Sequence, residues 1–191
     1  MRHLTLDVIH DEHQALSAML RSLSMLLAQA RRERAMPDFG VLRAMLFYVD
    51  EFPEKRHHTK ESELLFPKLR HRAPELGPVL DQLDRDHASG EKSIRDLEHA
   101  LLAFEVMGEP RRAAFEQAVE QYIAFYLQHM GVEEKDILPT ARRVFSEADW
   151  QELDAAFAAN RDPLTGHEPD EDYRPLFRKI VMTAPAPIGL G

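Results

Sequence analysis

The chain has 191 residues, 44% hydrophobic and 30% charged, enough for one well-buried core and short of two full domains. Its 24 Lys and Arg against 33 Asp and Glu leave a formal charge of −9, the wrong sign for a protein that works on a nucleic-acid backbone. The lack of cysteine excludes disulfides, thiolate nucleophiles and cysteine-held metal sites, and no apolar run approaches the roughly 18–20 residues of a membrane-spanning helix.

Apolar residues recur at three- and four-residue spacing, and alternating β-branched runs are absent, so the chain reads as helices. The N-terminus, Met1 to Asp7, turns acidic at once and lacks the apolar core of a secretory signal, so a cytoplasmic protein is expected. The first helix is predicted from Thr5 to Arg34, ended by Met36-Pro37-Asp38. The second runs from Phe39 to Leu69, with Pro53 as a kink or break in its middle. After the turn from Arg72 to Gly77, the third covers Pro78 to Val106, and Gly108-Glu109-Pro110 leads into a fourth that ends at Val144. A capped start at Ser146 opens a shorter helix ending near Asn160.

Short connections favour antiparallel neighbours. The expected fold is all-α: an antiparallel up-down-up-down four-helix bundle with a short additional C-terminal helix, residues 1–160. Residues 161–191 read as a partly irregular tail, with a helical turn or two from Tyr173 to Val181 and no element assigned to the last eight residues.

Ten histidines stand out, and some share faces with the predicted core. On the second helix Leu42, Leu46, Val49, Pro53 and Leu64 fall in one sector, with His57 and Glu61 in or beside it and His58 turned outward. On the fourth, His129 and Glu133 lie within the stripe of Phe115, Val119, Tyr122, Tyr126 and Ile137. His13 sits among Leu6, Ile9, Leu16 and Leu20, and His87 among Val79, Leu83, Ile94 and Leu101. Buried glutamates are costly unless paired or bound to metal.

The spacing repeats. His57 precedes Glu61 by four residues and Pro67 by ten, and His129 stands in the same relation to Glu133 and Pro139. His13 precedes His57 by 44 residues and His87 precedes His129 by 42, so the chain looks like two similar hairpins. In an up-down-up-down bundle all six groups reach the same end. Imidazole with carboxylate suits iron, manganese or zinc, and six ligands exceed the needs of one tetrahedral ion. Two metals are expected, each with two histidines, with Glu61 and Glu133 bridging.

Asp11-Glu12-His13, the segment His57 to Pro67, Asp86-His87 and the segment His129 to Pro139 together resemble the hemerythrin-like HHE cation-binding family, over roughly residues 5 to 145. The resemblance implies a four-helix bundle with a non-haem di-iron centre. It implies binding or sensing of oxygen, nitric oxide or iron, or a part in iron–sulfur repair; the other class is an enzyme reducing peroxide, oxygen or nitric oxide. The expected partner is thus a small diatomic ligand or peroxide, with no nucleic-acid or membrane partner. The His-xxx-Glu pattern is closer to the repair branch than to oxygen carriers, which use more histidine.

Among the remaining residues, His10 is expected to support His13, while His3, His71, His99, His167, Glu134 and Asp136 are expected at the surface. Glu134 is the substitute for Glu133 if the register differs. Tyr122 and Tyr126 are expected to pack, with a hydrogen bond to metal-bound oxygen as the sharper alternative.

Overall fold

The computed structural model describes residues 2–190 and is all-helical, with no strand among them. Six helices follow in order: α1 (Leu4–Glu33), α2 (39–72), α3 (Gly77–Met107), α4 (112–144), α5 (Glu147–Phe157) and α6 (Arg174–Thr183). Their ends follow local chemistry. Arg34 takes a left-handed conformation that stops α1, and the Asp38 carboxylate accepts from the Val41 N–H at 3.0 Å to start α2. Ser146 and Asp149 form a reciprocal capping box at the start of α5. No helix among the described residues is long and apolar enough to cross a membrane.

Pro53 does not break α2. The helix widens there into a π segment, Asp50–His57, and a second π turn follows at Glu61–Leu65. A third, Glu133–Ile137, interrupts α4. Pro67 and Pro139 each lie in the first turn of the α-helix resuming after a π turn. Proline lacks an N–H, and its ring clashes with the carbonyl four residues earlier, so the backbone just before it opens into the wider turn. The matched prolines of the sequence therefore shape the backbone at the two glutamates.

Cross-helix pairs order the bundle. Along α1 and α4, Arg31 pairs with Glu116 while His13 pairs with Glu134. Along α2 and α3, Arg43 pairs with Glu105 while Arg70 pairs with Asp81 and Asp84. The core divides in two. One apolar cluster includes Leu20, Leu42, Met45, Phe104 and Phe115; the other includes Ile9, Phe66, Leu83, Ile137 and Trp150. Between them lies a buried layer of histidines and glutamates.

The tail contributes more than the expected turn or two. Helix α6 buries Phe177 and Ile180, and Phe177 meets the rings of Tyr48 and Phe52 edge-on at 5.8 and 5.4 Å. Within the last eight residues, Ala184 is buried and the Pro185 carbonyl accepts from Ser22 Oγ at 3.1 Å.

Helices α3 and α4 meet closely at Gly90. A Cβ there would overlap Tyr126 Oη and fall 3.0 Å from Glu54 Oε1. Gly90→Ala should therefore lower stability by about 1–3 kcal/mol, although alanine favours an isolated helix by about 1 kcal/mol. Urea unfolding checks this, and Tyr126→Phe should remove part of the loss; a Gly90→Ala protein as stable as wild type would contradict the close approach.

Candidate metal centre

All six groups singled out by spacing meet in the layer between the two apolar clusters. His13 comes from α1, His57 and Glu61 from α2, His87 from α3, and His129 and Glu133 from α4. All are buried, and both glutamates are at 0% exposure.

Each glutamate reaches histidines on two sides. Glu61 Oε1 lies 3.3 Å from His57 Nε2, and its Oε2 lies 3.5 Å from His87 Nε2. Glu133 Oε2 lies 3.3 Å from His13 Nε2, and its Oε1 lies 3.3 Å from His129 Nε2. His13 and His57 thus form one pole, and His87 and His129 form the other, with Nε2 atoms 3.1 Å apart. The contacts are near but poorly aligned: His13 Nε2, His57 Nε2 and all four glutamate oxygens have no hydrogen-bond partner. Buried polar atoms are seldom left so. Donors of this type converging in this way fit divalent first-row cations.

The outer edges of the rings explain why Nε2 points inward. A carboxylate accepts His57 Nδ1–H at 2.6 Å (Glu12 Oε2) and His13 Nδ1–H at 3.0 Å (Glu134 Oε1). Ser62 Oγ gives its proton to Asp84 at 2.8 Å, so it accepts from His87 Nδ1 at 2.8 Å. Asp86 Oδ2 stands 3.6 Å from His129 Nδ1. Such outer partners fix the tautomer and aim the other nitrogen at a metal.

His58 corrects the sequence expectation. It is 4% exposed rather than outward-facing, and it stacks on His87 with ring centroids 4.2 Å apart. A His58 nitrogen groups with ligand atoms of Glu61, His87 and His129, all within 4.8 Å of one another. The cause is the π segment Asp50–His57, which shifts the following residues from the α-helical phase used to place them. Glu54, one turn earlier, was also missed. It is buried, lies 3.1 Å from His58 Nδ1, and accepts hydrogen bonds from Tyr122 at 2.8 Å and from Tyr126. The two tyrosine hydroxyls therefore bind a carboxylate behind His58, while the Tyr126 ring stacks on His58 with centroids 5.6 Å apart.

Other expectations divide. His71, His99, His167 and Asp136 are exposed. His3 is instead half-buried, stacked on Trp150 at 4.1 Å. Glu134 is only partly exposed, and both His13 and His10 contact it, so exposed His10 touches the layer only through that carboxylate.

Carboxylates and imidazoles shift one another's pKa values within the layer. Burial alone would lower the His13 pKa, but Glu133 and Glu134 outweigh it and raise it to about 9. His57 is likewise raised, burial being outweighed by Glu61 and Glu12. Burial would raise Glu133, yet His129, His13 and His87 hold it well below the ordinary carboxylate value. His58 is driven down by burial and by the neighbouring His87, His57 and His129, so it stays neutral. The raised values at His13 and His57 mean that a cation at those nitrogens would have to compete with protons.

The sign follows for protein stripped with a chelator. His13 is raised from 6.5 to about 9, so its contribution is full below pH 6.5 and lost as pH rises through about 9. The melting temperature of stripped protein should fall across that window, and less steeply in His13→Gln. A bound cation displaces those protons, so the gap between loaded and stripped protein should widen with pH. Thermal melts from pH 6 to 9 check this; a stripped protein that gains stability across the window would contradict it.

A comparison with known families places residues 4–141 in the family described as Hemerythrin HHE cation binding domain. No curated protein matches the chain. With that match covering most of the chain and the histidines and glutamates gathered in one buried layer, the chain belongs to the hemerythrin HHE cation-binding family.

Proposed function

We propose that this protein holds two iron ions in the layer and uses them to bind or sense oxygen, nitric oxide or iron itself, in a stress response or iron–sulfur repair. The observation that carries the reading is that Glu61 and Glu133 each present one bare oxygen to the His13/His57 pole and the other to the His87/His129 pole. That is the placement two bridging carboxylates need. Manganese or zinc would satisfy the same donors; iron is preferred because it serves the small-ligand chemistry of the resemblance. The opposed order of the α1–α4 and α2–α3 pairs supports the up-down-up-down topology on which the layer depends.

His58 adds a third histidine to the His87/His129 side. The His13/His57 side then has fewer protein donors, and an exogenous ligand has room there. A di-iron pair, when bound, supplies redox change and open coordination positions for oxygen, nitric oxide or peroxide. The chain's own residues do the rest. Glu12, Glu134 and Ser62 hold the rings in register, the apolar clusters on both sides keep bulk water out, and neutral His58 is ready to ligate.

One observation favours the second reading, an enzyme reducing peroxide, oxygen or nitric oxide. Burial pushes the Glu54 carboxyl up to about 7, against the hydrogen bonds of Tyr126 and Tyr122 that lower it. A group titrating near neutrality behind His58 is suited to exchanging a proton during turnover.

Metal analysis of purified protein should find two irons per chain, with an oxo-bridge charge-transfer band after exposure to oxygen. Glu61→Ala and Glu133→Ala should lose the pair, while Glu147→Ala at the start of α5 should keep it. Glu12→Ala should weaken iron binding by about 10–100-fold, through the misaimed His57 ring. Full di-iron occupancy in Glu61→Ala would contradict the bridging role, and steady consumption of peroxide or nitric oxide with an electron donor would favour the enzyme.

A further inference from the structure

The family match ends at residue 141, yet the chain beyond it returns to the layer. The segment after α5 buries two polar side chains, Asn160 at 5% and Asp162 at 4% exposure, an arrangement a mere packing tail does not need. Asn160 Nδ2 donates to Glu12 Oε2 at 3.0 Å, the same oxygen that accepts from His57 Nδ1. Lys60 on α2 donates to the side-chain amide oxygen of Asn160, Oδ1. Asp162 is held from two sides, by buried Tyr48 Oη at 2.5 Å and by the Leu164 N–H at 2.8 Å. Phe157, fully buried at the end of α5, meets the His57 ring edge-on at 6.5 Å.

This segment walls one side of a small, partly open cavity. Asp162 forms part of its wall together with Phe52, Pro53, His13 and His57, and the space is about 10 Å³, room for the centre of roughly one water molecule. It adjoins His13 and His57, the pole with fewer protein donors, and touches His58 of the other, so on the di-iron reading an exogenous ligand at that pole would project into it.

We propose that Asp162 is a specificity-determining residue, the roof of a ligand chamber that the C-terminal segment adds to the family domain, admitting ligands of one or two heavy atoms and excluding longer ones. The inference rests on the di-iron reading above and concerns which ligands reach the His13/His57 pole. Tyr48 and the Leu164 N–H leave the carboxyl of Asp162 little freedom to swing aside. Cutting that side chain to alanine frees space for about one more water molecule. With its first atom on the metal, a diatomic such as dioxygen, nitric oxide or peroxide places one further heavy atom in the one-water space, whereas a linear three-atom anion places two.

Cyanide and azide provide the test, being linear monoanions of two and three heavy atoms. Both are added to iron-loaded full-length protein of known iron content, and binding is followed by the optical spectrum of the centre. Wild type should bind azide at least about tenfold more slowly or weakly than cyanide, a loss of about 1.4 kcal/mol or more at equilibrium. Asp162→Ala should remove most of that difference, whereas Asp162→Asn, which keeps the volume, should preserve it. Equal binding of the two anions by wild type overturns the roof whether or not the alanine variant folds. So does an iron-loaded Asp162→Ala that discriminates as wild type does. A wild type that takes up no iron overturns the di-iron reading and this inference with it, and the iron content distinguishes that failure from the others.

Discussion

Two carboxylates at 0% exposure, Glu61 and Glu133, sit between two apolar clusters with no hydrogen bond to any of their four oxygens. Taking an ionised carboxylate out of water costs several kcal/mol unless positive charge stands beside it. The layer answers with imidazoles from all four long helices, whose pKa values at His13, His57 and His129 are raised against the pull of burial. Protons supply the positive charge at low pH, and metal supplies it better. Packing, tautomers and helix geometry around the layer all serve this one requirement.

Backbone geometry contributes as much as side-chain identity. Glu61 and Glu133 each open a π turn, and each turn is followed by a proline, Pro67 or Pro139. A π turn rotates the residues that follow and widens the spacing between carbonyls, which is why such turns gather at functional sites. The two hairpins are thus related by a shared distortion as well as by a shared histidine–glutamate spacing. The difference between them is His58, placed in the layer by the extra π segment around Pro53, which α4 lacks. That difference makes the two poles unequal, with two histidines on one side and three on the other.

Much of this was legible in the sequence. Ile9, Leu16 and Leu20 around His13, or Phe115, Val119 and Tyr126 before His129, carry the helical period over many residues, so small phase errors do not hide the stripe. The phase fails where the helix does: a uniform 100° step through Asp50–His57 turns His58 outward, whereas the π segment turns it in. Glu54 is invisible for a different reason: its partners Tyr122 and Tyr126 lie about 70 residues away in sequence and only the fold joins them. Asn160 and Asp162 had no pattern to announce them, because their role comes from a loop packed over another helix. Glu12 had a signal, its position beside His13, but its partner is His57 on a different helix.

The central claim is that the layer holds two metals separated by two bridging glutamates. Anomalous diffraction at the iron edge from crystals of iron-loaded protein tests it most directly. The account predicts two peaks within one layer, about 3.5–4 Å apart, one against His13 and His57 and the other against His58, His87 and His129, with Glu61 and Glu133 reaching both. A single peak, or iron bound away from these glutamates, would contradict it.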